Sequence, residues 1–255
     1  MTEHAPMRID HLPVLGEQMA RFVTLLGEAD ENLPVPTCPG WTVRDLAVHL
    51  GTMHRKAGAV VLGATLVDTP EPLVLGSLTD WYAGCASALV LALQAVDPAE
   101  PVPNWAQVHE TAGFWRRRQL HETLVHTVDL AVALGLPEDG WPGAEGWGPD
   151  AQVSADGVDE LLTVMLRVRA LRGVPPTLPA PVRLQTTDTD DAWVLSPGDL
   201  LLVRPAGAEP DASLDDVVRG TAADLYLGLW GRVGTDRLDV RGDAATAFLA
   251  GPLGL

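Results

Sequence analysis

The sequence predicts a multidomain chain, a four-helix bundle followed by a small antiparallel α+β domain. Three observations carry that prediction. The first half holds four long segments whose apolar residues recur at three- and four-residue steps, separated by Pro- and Gly-rich stretches. Residues 140–149 form a linker rich in Trp, Gly and Pro. Beyond it come short alternating runs punctuated by Asp, Pro and Gly, the pattern of half-buried strands. The 255 residues divide at the linker into domains 1–150 and 151–255, both of ordinary domain size.

The first helix is expected over residues 10–30, with Leu12, Leu15, Met19, Phe22, Val23 and Leu26 on one face. A Pro-rich loop follows, from Leu33 to Gly40. The second helix has a marked start: Thr42 and Asp45 fit a capping box, and Trp41 with Leu46 fits a hydrophobic staple. It runs through Leu46, His49, Leu50, Met53, Ala57 and Val60 to about Gly63. A breaker-rich stretch from Asp68 to Gly76 leads to the third helix, Thr79 to Val96. The fourth covers Gly113 to Leu134 and is stopped by Gly135 and Pro137. Four such helices with connecting loops make a bundle.

After the linker, a helix is expected from Ser154 to Arg172. Residues 182–186, 192–195 and 200–204 then read as antiparallel strands, with further strands at 217–219 and 238–240. Helices over 221–232 and 244–250 complete an α+β domain.

Charge and composition remove several classes of function. The net charge of −17 excludes phosphate-backbone binding, which needs clustered Lys and Arg, and docking on an anionic membrane surface. The basic run Arg116-Arg117-Arg118 reads first as a solvated or salt-bridged helix face and second as a substrate-anion site. Cys38 and Cys85 make neither a disulfide framework nor a CxxC motif, and both read as small buried residues. No apolar run reaches membrane-span length, and Met1 to His11 lacks the apolar core of a signal peptide. The expectation is a cytoplasmic protein, a monomer or homodimer, with small-molecule partners. Lys56 is the only lysine and Ile9 the only isoleucine, a GC-rich coding bias that suggests an actinobacterial source. Gly231 and Gly234 lack the strand–GxGxxG–helix context of a phosphate loop.

One constellation carries chemistry. Glu122 and His126 are four residues apart on the fourth helix, so at about 100° per residue their side chains share a face, one turn apart. A carboxylate and an imidazole so placed can converge on one ion, but two ligands do not hold it. His49, among apolar residues on the second helix, is the third. Two histidines and one carboxylate leave a coordination position open, as in catalytic zinc sites, and iron(II) suits the same donors. His54 and His121 are each five residues from a ligand histidine and point about 140° away from it. Asp129 returns to the face of Glu122 seven residues on, where it can orient a ligand imidazole. The bland alternative is that these are ordinary core residues. Trp41, Trp115 and Trp230 read first as core anchors, with Trp41 kept as a pocket wall.

The run Thr37-Cys38-Pro39-Gly40-Trp41-Thr42-Val43-Arg44-Asp45-Leu46-Ala47-Val48-His49-Leu50 and the run Phe114 to His126 resemble the mycothiol-dependent maleylpyruvate isomerase family. So does the segment from Val218 to Leu225 with Leu229-Trp230-Gly231-Arg232. The resemblance covers nearly the whole chain. It implies a DinB-like metal-binding bundle joined to a sterol-carrier-like α+β domain. The family's metal ligands match His49, Glu122 and His126, and its C-terminal arginine is matched by Arg232, with Arg237 and Arg241 as rivals. The implied cofactors are a divalent metal, zinc or iron(II), and mycothiol as thiol cosubstrate. The implied reaction is addition of the thiolate to the activated double bond of a small electrophile such as maleylpyruvate. Rotation about the new single bond and expulsion of the thiolate then give the trans isomer. Two alternatives stay open. One is a DinB-like thiol S-transferase for detoxification or secondary metabolism. The other is a non-catalytic small-ligand-binding protein, which would carry no stoichiometric metal.

Overall fold

The three- and four-residue apolar spacing of the first half becomes four helices: α1 (His11–Glu28), α2 (Val43–Val61), α3 (Leu78–Ala95) and α4 (Ala112–Ala133). The computed structural model describes residues 9–64, 76–136, 150–198, 202–205, 214–251 and 253. The breaker-rich stretch after Asp68, Pro137 and the 140–149 linker lie outside these residues, apart from Gly76. The chain divides into two units, Asp10–Glu138 and Asp139–Leu255.

In the first unit, α1 packs on α3 and α4, and α2 packs on α3 and α4. Leu15, Phe22, Leu25, Leu46, Leu50, Leu89, Leu93 and Leu120 are fully enclosed between them. The capping box forms as expected: Thr42 Oγ1 accepts from the Asp45 N–H, and Asp45 Oδ2 accepts from the Thr42 N–H. This fixes the start of α2 and therefore the angle at which His49 leaves it. Gly51 lets α3 approach α2 closely, since a Cβ there would lie 2.6 Å from the Trp81 ring. Gly135 ends α4 with φ of +67°, a conformation open to glycine without strain.

Helix α4 is the unusual one. It is buried on nearly every side, and its buried residues include Arg118, Gln119, His121, Thr123, His126, Thr127 and Asp129. Polar groups so enclosed require hydrogen-bonding partners inside the protein. The centre of the bundle is therefore a polar network laid on a single helix.

The second unit opens with α5 (Ala151–Glu160), a π-helical turn (Leu161–Met165) and α6 (Leu166–Leu171). The sequence predicts an unbroken α-helix here, and the π turn marks an i→i+5 widening within it. A five-stranded sheet follows, built of β1 (Val182–Thr186), β2 (Ala192–Ser196), β3 (Leu202–Pro205), β4 (Val217–Gly220) and β5 (Asp239–Arg241), in the order β3-β2-β1-β4-β5. Three neighbour pairs are antiparallel, but β1 and β4 run parallel, with Leu184 beside Val218. The sheet is thus mixed rather than wholly antiparallel. α7 (Ala222–Leu229) follows β4 directly and α8 (Asp243–Ala250) follows β5. Trp193 Nε1 donates to Asp159 Oδ1 at 3.0 Å, tying β2 to α5. No helix among the described residues is long and apolar enough to cross a membrane.

Candidate metal centre

His49 on α2 and Glu122 and His126 on α4 meet inside the first unit. Glu122 Oε1 lies 3.1 Å from His49 Nε2 and 3.5 Å from His126 Nε2. The three donor atoms all fall within 4.8 Å of one another. The helical spacing puts Glu122 and His126 on one face, and α2 crosses that face with His49 directed at it. The two imidazoles meet edge to face, with ring centres 5.1 Å apart.

Two of the three donors, His126 and Glu122, are held from behind. Asp129 Oδ2 accepts from His126 Nδ1 at 2.8 Å, so Nε2 is the nitrogen turned toward Glu122. Asp129 is completely buried. It plays the orienting part that its seven-residue offset from Glu122 suggests. Glu122 Oε2 is taken by the guanidinium of Arg118, one turn earlier on α4. Cys38 Sγ donates to the same Asp129 Oδ2 at 3.4 Å, from the Pro-Gly turn ahead of α2. Trp41, in that same turn, walls the site, with its ring centre 4.9 Å from that of His49 and 6.2 Å from that of His126.

The electrostatics follow from these contacts. Burial by itself favours a neutral Glu122. The charge of Arg118 and hydrogen bonds from His126 and His49 overcome it and hold the carboxyl well below the ordinary carboxylate range. Burial likewise favours a neutral His126. Its hydrogen bonds to Asp129, Cys38 and Glu122, with the charge of Glu122, push that imidazole well above its ordinary range. The His126 ring thus lies between two carboxylates, buried Asp129 at Nδ1 and half-buried Glu122 at Nε2, that demand positive charge there. A divalent cation satisfies that demand as well as a proton does.

The spacing of the donors fits such an ion. Ligand atoms about 2.0–2.1 Å from a tetrahedral zinc lie roughly 3.3 Å apart, and the two separations from Glu122 Oε1, 3.1 and 3.5 Å, bracket that value. Two nitrogens and one oxygen also suit iron(II). A second group, Cys38, His126 and Asp129, has metal-compatible spacing, but two of its members, His126 and Asp129, are already hydrogen-bonded to each other.

His54 is fully buried, donates from Nδ1 to Gln119 Oε1 at 2.8 Å and accepts from the Tyr82 hydroxyl at 3.2 Å. Both ring nitrogens are thereby occupied, and His54 is not among the residues that converge on Glu122 Oε1. Of the two readings of the Arg116–Arg118 run, the salt-bridged one holds for Arg118, and Arg116 is turned to backbone carbonyls rather than to solvent. Arg116 donates to the last-turn carbonyls of α3 at Leu93 and Val96, and Arg118 is buried against Glu122. The i,i+4 spacing of Arg118 and Glu122 is the signal that finds this pair. Cys85 is buried and its thiol is pushed up by burial, whereas Cys38 is half-buried and polar-partnered. Trp115 is a core anchor, its Nε1 donating to the Pro103 carbonyl. In the second unit, Arg232 donates to the Trp230 carbonyl at 2.6 Å and lies 5.9 Å from the centre of the Trp230 ring. Arg237 pairs with Asp224, and Arg241 pairs with Asp239 in an exposed position.

Comparison with known proteins agrees with this architecture in both halves. Residues 12–131 match the family model described as the mycothiol maleylpyruvate isomerase N-terminal domain, and residues 152–247 match the model of the corresponding C-terminal domain. Among solved structures, the chain is similar to a mycothiol-dependent maleylpyruvate isomerase (TM-score 0.58, 16% identity) and to a histidine-to-alanine mutant of that enzyme (TM-score 0.62, 15% identity). Both alignments cover 92% of this chain and 93% of the other. At these identities the likeness concerns the fold. No curated protein gives a significant match to the sequence.

Proposed function

Because the chain belongs to the mycothiol maleylpyruvate isomerase family, we propose that it is a metal-dependent enzyme that adds a low-molecular-weight thiolate, mycothiol by family, to a small cis-alkene electrophile and releases the trans isomer. The observation that carries this reading is the convergence of His49 Nε2 and His126 Nε2 on Glu122 Oε1 in a half-open, Trp-walled site. The proposed metal ligands are His49, Glu122 and His126. When bound, a divalent ion such as zinc or iron(II) supplies the Lewis acidity that lets a thiol lose its proton at neutral pH.

The residues around it have separate tasks. Asp129 fixes the ring of His126 and keeps its proton on Nδ1, leaving Nε2 free to act as a donor. Trp41 presents an apolar wall beside both imidazoles, which suits the flat face of a conjugated substrate and excludes water from one side of it. Arg232 is the proposed partner of a substrate carboxylate, on the strength of the family resemblance of the Trp230-Gly231-Arg232 turn. A local cation has particular value in a chain of net charge −17, whose general field repels anionic substrates.

The test is turnover. Zinc- or iron(II)-loaded protein is supplied with mycothiol and a cis-enedione acid, and the double-bond geometry is followed by proton NMR. Formation of trans product that requires both metal and thiol supports the reading. Accumulation of a stable thioether instead identifies a thiol S-transferase at the same site. Stoichiometric metal binding with neither product contradicts thiol chemistry on this substrate class.

A further inference from the structure

We propose that Arg118 is a positioning residue that restricts Glu122 to a single donor oxygen and so keeps one coordination position open. The inference rests on the metal reading above and deepens it.

The two oxygens of Glu122 have different surroundings. Oε1 faces both imidazoles, at 3.1 and 3.5 Å, and Oε2 is bonded to Arg118 Nη2. Arg118 stands one turn before Glu122 on the same face of α4, with a side chain only 4% exposed. Neither helix stability nor general stability explains it. In an i,i+4 pair the favourable order places the acid first, and here the arginine comes first. A buried ion pair adds little to stability compared with apolar packing of similar volume. A guanidinium fork aligned on a carboxylate takes both oxygens. On Glu122 one oxygen is instead left to the histidines.

The division has a coordination consequence. A carboxylate can bind an ion through one oxygen or two. Two imidazoles and one oxygen fill three places and leave the fourth to an incoming ligand. A second oxygen would fill that place or force a higher coordination number. Holding Oε2 on a fixed, buried cation removes this option while leaving Oε1 in place.

The test uses Co(II) in place of the native ion, because its visible d–d absorption weakens as the coordination number rises above four. The whole chain is loaded with Co(II), and metal content is measured alongside the spectrum. The wild type is expected to bind one ion with a strong visible band. In Arg118→Met the band is expected to fall by roughly half or more at unchanged metal stoichiometry, as Oε2 joins the ion. Arg118→Lys, which keeps a cation near Oε2, is expected to retain most of it. An Arg118→Met band as strong as the wild type overturns the proposal. Failure of the wild type itself to take up Co(II) contradicts the metal reading instead, and the two failures are thereby distinct. Should Arg118→Met not fold, the infrared difference between zinc-loaded and metal-free wild type decides. A wide separation of the carboxylate stretches is expected for one-oxygen binding, and a narrow separation refutes it.

Discussion

His54 offers a direct check on the interior of the bundle. Its ring is wholly enclosed between Gln119 and Tyr82, and burial lowers its pKa from 6.5 to about 4, with the hydrogen bond to Gln119 opposing only part of that shift. The folded protein therefore keeps His54 neutral where the unfolded chain protonates it. Between pH 6.5 and about 4 the unfolded state binds more protons, so stability falls as pH is lowered through this window. The difference corresponds to about 3 kcal/mol by pH 4, of which about 2 kcal/mol is already lost at pH 5. At a urea slope of about 2 kcal/mol/M, the pH 5 loss moves the unfolding midpoint by about 1 M. Other groups in the bundle also titrate, so the readout is the difference between wild type and His54→Gln, measured in urea at pH 7.5 and pH 5. The wild-type stability relative to the variant should shrink by about 2 kcal/mol on acidification. In parallel, the His54 ring resonance should show no titration above pH 5. A difference independent of pH, or a ring that titrates near 6.5, would refute the assignment of His54 as a buried neutral donor–acceptor.

Three further outcomes follow from the site and the fold. Asp129→Asn is expected to weaken zinc affinity about 10- to 100-fold, because His126 loses the carboxylate that fixes its ring, and competition with a chromogenic chelator measures this. Unchanged affinity would show that the Asp129 contact does not support the donor set. Glu122→Gln removes the carboxylate bonded to buried Arg118, and should cost the metal-free protein about 3–5 kcal/mol in denaturant unfolding, with loss of metal uptake. A cost below about 1 kcal/mol would place Arg118 in an environment that does not need Glu122. Thr42→Ala removes the side-chain cap of α2, and should destabilise the protein by about 1 kcal/mol while leaving metal stoichiometry intact.

Much of the bundle was readable from the chain because its signals are local. The capping residues Thr42 and Asp45, the glycine stop at 135 and the periodic apolar faces placed all four helices to within a residue or two. The meeting of Glu122 and His126 follows from helix geometry alone, and His49 from its apolar surroundings. The family resemblance joined the three. What stayed hidden depends on distant partners. Cys38 lies 91 residues from Asp129, and nothing near either one announces the contact. Arg118 sits in a run of three arginines, where the general preference of charge for solvent outweighs an i,i+4 spacing that connects it to Glu122. The parallel pairing of β1 with β4 joins strands separated by β2 and β3, and alternation within a strand carries no information about the direction of its neighbour. The π turn at Leu161–Met165 has no Gly or Pro to mark it.

On the reading proposed above, His49, Glu122 and His126 hold one divalent ion. Metal content by plasma mass spectrometry, on protein purified without a histidine tag and beside a His49→Ala/His126→Ala double variant, decides this. About one zinc or iron per chain is expected in the wild type, with none in the variant. A wild type without metal that also takes up neither zinc nor iron(II) when supplied would contradict the account, and would turn this polar centre into the core of a protein that binds small ligands without metal chemistry.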